Sequence, residues 1–271
     1  MIWFQIVYIL ILVSNIHALI LISANFVGLS DYSRSLPYVD LIEQSRKWGS
    51  PGTPWDGNGT FDSITGWPTA DFGVIIVSDN LDMGGIYLLY ANGNAEISEP
   101  IDRGTQITNK IYDATTNTLT ALVNVPQNTT QIMLSFRNTT GPGLQNISWL
   151  QPNYNISSKS DITNLTLAHI SRFSLLRFMD WTDTNGNPEE NWSDNTHLNW
   201  PQYTTRRNPW QTIPFIANQL NQSMDIWINI PLNASEDYIV NVAKIMLNEL
   251  NPSNNIYVEY QYENRSTCIY V

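Results

Sequence analysis

The chain is poor in the residues that usually anchor metals, disulfides or polyanions. It has one cysteine, Cys268, near the end of 271 residues, so an internal disulfide and a cysteine-based metal site are both excluded. Its three histidines, His17, His169 and His197, show no ligand spacing, and the sequence implies no metal and no organic cofactor. Charge is scarce: 14% of residues are charged, and 13 Lys and Arg face 24 Asp and Glu for a net charge of -11. No basic run occurs, so nucleic acid is not an expected partner, because phosphate binding needs clustered Lys and Arg. Polarity comes instead from Asn, Ser and Thr. Hydrophobic residues make up 42% and tryptophans number ten, enough apolar material for one large domain or two modest ones.

The one long apolar run is at the start. Residues 1–13 form an apolar stretch, broken by Ser14, Asn15 and His17, with the small Ala18 after it. This reads as a secretory signal peptide over residues 1–18. The alternative is an uncleaved membrane anchor reaching Ile22, since about 20 apolar residues span a bilayer. Ten Asn-x-Ser/Thr sequons accord with secretion and N-glycosylation: Asn58, Asn128, Asn138, Asn146, Asn155, Asn164, Asn191, Asn221, Asn233 and Asn264. The expected localisation is extracellular.

Beyond the leader the pattern divides in three. Residues 19–48 read as one βα unit: a β-rich run to Gly28, then a short amphipathic helix over 35–48 with Leu36, Val39, Leu41 and Ile42 on one side. Residues 49–166 hold Gly- and Pro-rich connections around short apolar runs, including 74–77, 85–90, 118–123 and 131–136. Short strands with turn signals between them predict an antiparallel β-sandwich. Residues 167–271 return to a βα rhythm. Strands are predicted at 175–181, 226–230 and 256–260, with helices near 209–221 and 235–250. Ser235 is the candidate N-cap of the second helix, and Ile239, Val242, Ala243, Met246, Leu247 and Leu250 form its apolar stripe.

Each of these apolar runs carries polar groups at its C-terminal end, as the strands of a (β/α) barrel do where they build an active site. Glycosidic hydrolysis usually needs two carboxyl groups flanking the bond. Asp180, Glu259 and Glu263 are the carboxylate candidates at the strand ends. Period-2 alternation puts Tyr257, Glu259, Gln261 and Glu263 on one face if the strand persists. A structural pairing of Glu259 with a base such as Arg177 is the competing reading. Trp181, Trp192, Trp200, Trp210 and Trp227 lie in or beside the strand ends, where aromatic rings could stack on the C–H faces of sugars. Trp181 and Trp227, with Asp180, Asn229 and Glu259, are therefore the expected substrate-binding set. Trp55 and Trp67 are expected to pack at the sandwich junction.

An ordered series of stretches resembles one family. These are Asn25-Phe26-Val27-Gly28-Leu29-Ser30-Asp31-Tyr32, Pro37-Tyr38-Val39-Asp40-Leu41, Ser45-Arg46-Lys47-Trp48, Gly66-Trp67-Pro68 and Gly85-Ile86-Tyr87. The series continues with Arg177-Phe178-Met179-Asp180-Trp181, Trp227-Ile228-Asn229-Ile230-Pro231, Asp237-Tyr238 and Tyr257-Val258-Glu259-Tyr260. Together they are similar to secreted proteins described as cellulose- or carbohydrate-binding and related to clan-A glycoside hydrolases. The match corresponds to the N-terminal half of such proteins. The resemblance implies α/β plus β architecture: a partial (β/α)8-type barrel of about four βα units with an inserted antiparallel β-sandwich. It implies a polysaccharide partner and puts Glu263 at the acid/base position, with Tyr262 where the family has Asn. It also implies that the nucleophile of strand seven would lie beyond residue 271. The expectation is thus a carbohydrate-active protein, truncated and inactive alone, or else a non-catalytic polysaccharide-binding or cell-wall-associated module. Oligomeric state is left open.

Overall fold

The computed structural model describes residues 23–79, 82–158, 162–220 and 223–260, and the backbone of 267–270. The leader, Asn221, Glu263 and Asn264 lie outside the described residues. The fold is mixed α/β, with one largely parallel sheet, two antiparallel sheets and few helices.

The parallel sheet contains β1 (Ser23–Asn25), β9 (Leu175–Arg177), β10 (Asp225–Ile230) and β11 (Ile256–Tyr260), side by side in that order. A final strand, β12 (Thr267–Tyr270), pairs antiparallel with β11. Between β9 and β10 runs α2 (Thr212–Asn218), and between β10 and β11 runs α3 (Glu236–Glu249). A shorter helix, α1 (Asn164–Ile170), precedes β9. The apolar side of the sheet, Leu176, Ile226, Ile228 and Ile230, shares a core with Ile213 and Ile216 of α2 and with Tyr238, Val242 and Met246 of α3. The Ser235 hydroxyl accepts the Tyr238 amide at the start of α3, and Glu236 and Asp237 follow in its first turn. That places oxygen acceptors and negative charge where helical N–H groups lack partners.

The antiparallel part lies in sequence between β1 and β9, two strands that pair directly. Its sheets are β2-β7-β4 (Phe72–Val77, Ile132–Arg137, Glu96–Ser98) and β5-β6-β3-β8 (Gln106–Asp113, Thr118–Val125, Gly85–Asn92, Gln145–Leu150). Alternate residues of both sheets meet in one core: Phe72, Val74, Leu134 and Phe136 on one side, and Leu89, Ala121, Val123 and Trp149 on the other. Phe72 and Phe136 stack there with centroids 4.5 Å apart. Strands β4, β5 and β8 were not legible in the sequence. Their hydrophobic content is thin or interrupted, as in the mostly exposed Gln106–Asp113.

The helix expected over residues 35–48 does not form. The segment runs as turns and isolated bridges. Its backbone groups cover sheet edges instead. Leu41 N–H donates to Trp149 O (2.9 Å) and Gln151 N–H to Val39 O (3.0 Å) along β8, while Arg46 N–H donates to Ile75 O (2.9 Å) and Gly49 and Gly73 exchange two bonds of 2.8 Å along β2. Asp40 Oδ1 accepts from both Ile42 N–H (3.0 Å) and Trp149 N–H (2.8 Å). Leu41 and Ile42 are buried as their pattern predicts, but on the sandwich core rather than along a helix.

Candidate functional site

The register of the parallel sheet decides which side chains meet. Asn25 pairs with Arg177, Arg177 with Trp227, Trp227 with Tyr257, and Asn229 with Glu259. Paired residues, and residues two apart, share a face. Asn25, Arg177, Trp227, Asn229, Tyr257 and Glu259 therefore line the face opposite the helical core.

At the C-terminal end of that face Glu259 is the centre. Its Oε2 accepts Arg177 Nη2 at 2.7 Å and Asn229 Nδ2 at 2.6 Å. The Glu259 side chain is nearly buried, whereas the Arg177 side chain keeps 28% of its surface. The guanidinium also lies over the Trp227 ring, 4.5 Å from its centroid. A charge in so dry a place requires a partner and further hydrogen bonds, and Arg177 and Asn229 supply both. Two atoms of this cluster stay unmatched: Arg177 Nε and Asn229 Oδ1 are buried without a hydrogen-bond partner among the described residues. Atoms of this kind are usually met by ordered water or by a bound polar group.

Asp180 is engaged at the neighbouring pair of strands. It accepts Asn25 Nδ2 at 2.5 Å, a contact across the ends of β1 and β9. Gly28 passes close to that end: a Cβ there would lie 2.7 Å from the Asp180 carbonyl oxygen.

Trp181, expected to contact substrate, is a core residue. It is 1% exposed. Its ring meets Phe26 edge-on at 4.7 Å and its indole N–H donates to Thr212 Oγ1 at 2.9 Å. The chain turns after β9, so successive side chains no longer alternate as in a strand, and Trp181 falls under α2. Trp210 is buried too, donating to the Tyr238 hydroxyl at 2.7 Å. Only Trp227 of the expected pair reaches the polar face. Of the two junction tryptophans, Trp67 packs beside Trp48 with centroids 6.4 Å apart, whereas Trp55 is 46% exposed.

The loop joining β9 to α2 is held by a buried carboxylate. Glu189 accepts the Tyr238 hydroxyl at 2.7 Å and pairs with Arg207 at 3.4 Å, and Arg207 also reaches Asp183 at 3.5 Å. Burial, then the charge of Glu189, pushes the Tyr238 phenol well above its ordinary value, so it stays a donor. The sequence showed this loop only as rich in Asn, Asp and Trp. Its anchoring depends on residues 49 positions apart.

No group of three or more His, Cys, Asp or Glu among the described residues could hold a metal ion, and none of their helices is long and apolar enough to cross a membrane. Asn58, Asn128, Asn138, Asn146, Asn155, Asn164, Asn191 and Asn233 are all exposed. The chain matches no known family model, no curated protein and no solved structure.

Proposed function

We propose that this chain is a secreted carbohydrate-recognising protein with a glycoside-hydrolase-like framework, and that the polar face of its parallel sheet is the saccharide site. The framework in this reading is a partial (β/α)8-type barrel interrupted by the sandwich. Four parallel strands in sequence order, with helices between the last three, support it.

One observation carries the site. The Arg177–Glu259–Asn229 cluster holds two buried polar atoms without a hydrogen-bond partner among the described residues, beside the partly buried Trp227 ring. A sugar offers hydroxyls that both donate and accept, next to apolar C–H patches that suit a ring. Hydrolysis by the described residues has weaker support, because it needs two carboxyl groups free to flank the bond. Here Glu259 is neutralised by Arg177 and Asp180 is engaged by Asn25. The binding-module reading is therefore preferred over the enzyme.

The test is affinity electrophoresis in gels containing neutral β-glucans, with tryptophan fluorescence alongside. Wild-type protein is expected to be retarded and its emission to shift, and Trp227→Ala, with its near-ultraviolet dichroism intact, is expected to lose both effects. Unchanged mobility and emission across the glucans would sink the proposal. Release of reducing ends that disappears in Glu263→Gln would establish the hydrolase instead.

A further inference from the structure

A second cleft lies where the sandwich meets the β9–α2 loop. It has a volume of about 410 Å³ and is lined by Lys47, Trp48, Phe61, Trp200, Gln202 and Arg206, among others. That volume is within the usual range for small-ligand sites, roughly 300–1,000 Å³.

Its charges are unusual for so acidic a chain. Two basic dipeptides border it, Arg46-Lys47 and Arg206-Arg207. In each, one cation is spent on structure: Arg46 pairs with Asp31 at 2.7 Å, and Arg207 pairs with Asp183 and Glu189. The other cation lines the cleft. Lys47 and Arg206 have no acidic partner within 4.0 Å among the described residues. Lys47 Nζ lies 5.8 Å from the Phe61 centroid, and the Arg206 guanidinium stacks 3.9 Å from the centroid of Trp200. Phe61 meets Trp200 edge-on at 6.4 Å. A stacked guanidinium is fixed in direction and keeps its in-plane N–H groups for a planar anion.

The walls are fixed as well. Trp48 Nε1 donates to Gly66 O at 2.8 Å, and Gln202 Nε2 donates to Ser45 Oγ at 2.9 Å. Gly66 has φ +76°, and a Cβ there would come within 2.7 Å of Pro201 and 3.0 Å of the Trp200 ring. The turn can approach Trp200 this closely only because residue 66 has no side chain.

From this arrangement we infer a second binding site, one that takes an anionic sugar: a hexose bearing a carboxylate or a sulfate ester. The anion would sit between Lys47 and Arg206, and the sugar ring against the exposed Phe61. The net charge of -11 repels polyanions at long range, so binding must come from these local contacts and must weaken with salt.

Because the sugar assignment rests on the carbohydrate reading above, the test carries a neutral β-glucan as a parallel arm. The 271-residue chain is titrated with oligogalacturonide, dextran sulfate, polyphosphate and the neutral glucan at low and high salt. Oligogalacturonide or dextran sulfate should bind, whichever is tighter naming the anion, with affinity falling at high salt. Lys47→Gln and Arg206→Gln should each weaken it about tenfold, the loss expected for a hydrogen bond to a charged group. Phe61→Ala should weaken it too, and Arg206→Lys should retain part of it, with neutral-glucan binding unchanged in every variant. Equal binding of neutral and acidic sugars, no effect of the Gln variants, or polyphosphate binding as tightly as the sugars would overturn the inference while leaving the first site standing. Absence of binding by every saccharide would remove both.

Discussion

At the scale of single residues, Arg177 joins two others and keeps a donor to spare. It neutralises Glu259, covers Trp227, and leaves one N–H, its Nε, unmatched. Arg177→Met would remove the cation paired with a nearly buried carboxylate. Breaking one side of a buried pair typically costs about 3–5 kcal/mol, and the partial exposure of Arg177 moves the expectation to about 2–3 kcal/mol. Urea unfolding measures this, and the Arg177→Met/Glu259→Gln double variant should recover much of the loss. The surface carboxylates predict a second effect. Asp71 is held below the usual carboxylate value by the backbone N–H of Thr139, with further bonds from the Thr139 hydroxyl and Asn138 N–H. Hydrogen bonds from backbone N–H groups likewise lower Asp56 and Asp62. A folded-state value below the unfolded one contributes stability above the unfolded value, about 3.9, and loses it as pH falls through the folded value. Melting temperature should therefore drop below about pH 4, and more gently in Asp71→Asn. An acid limb identical in wild type and variant would remove Asp71 from the explanation.

At the scale of elements, helix α3 is the best case of a legible sequence, and its details show where legibility stops. Its N-cap and 3.6-residue stripe are evident in the residues from Ser235 to Leu250. Yet the inward face is Tyr238, Val242, Ile245 and Met246, while Ile239 is 37% and Leu247 82% exposed. Periodicity gives the existence of an apolar face, not the angle at which the sheet meets it. Met246→Ala should cost about 2 kcal/mol, whereas Leu247→Ala should change stability by less than about 0.5 kcal/mol. Thermal unfolding of the pair separates the assigned face from the alternative. The segment over residues 35–48, expected as a helix, shows the opposite outcome. Val39, Leu41 and Ile42 are buried as the apolar pattern predicts, but the segment forms turns and bridges rather than a helix, because the demand it meets is tertiary. Unpaired strand edges at β2 and β8 need donors and acceptors, and this segment supplies them. Gly49 fits there because a Cβ would lie 2.4 Å from Pro54 O.

At the scale of the molecule, the sandwich is an insertion between two strands that pair with each other, β1 and β9. Contacts such as Tyr203 N–H to Glu43 O at 2.8 Å tie the segment that precedes the sandwich to the β9–α2 loop. Sequons at the eight described positions are exposed on both parts of the fold. If the chain is secreted as proposed, enzymatic removal of N-glycans should lower its apparent mass in electrophoresis. No shift from a secretory host would count against that route.

The residues alone determined a good deal. They excluded an internal disulfide and a cysteine-based metal site among these residues, separated a strand-and-turn middle from a βα-patterned end, and marked β10, β11 and α3 closely. Local hydrogen bonding and side-chain period suffice for that, because neighbours in sequence set them. The pairing of Arg177 with Glu259 could be named as an option, but choosing it required the register that brings residues 82 positions apart to 2.7 Å. The burial of Trp181, the strip along the sheet edges, and the cleft holding Lys47 and Arg206 were decided only in three dimensions. Each depends on which surfaces meet, and that is fixed by long-range packing rather than by local pattern.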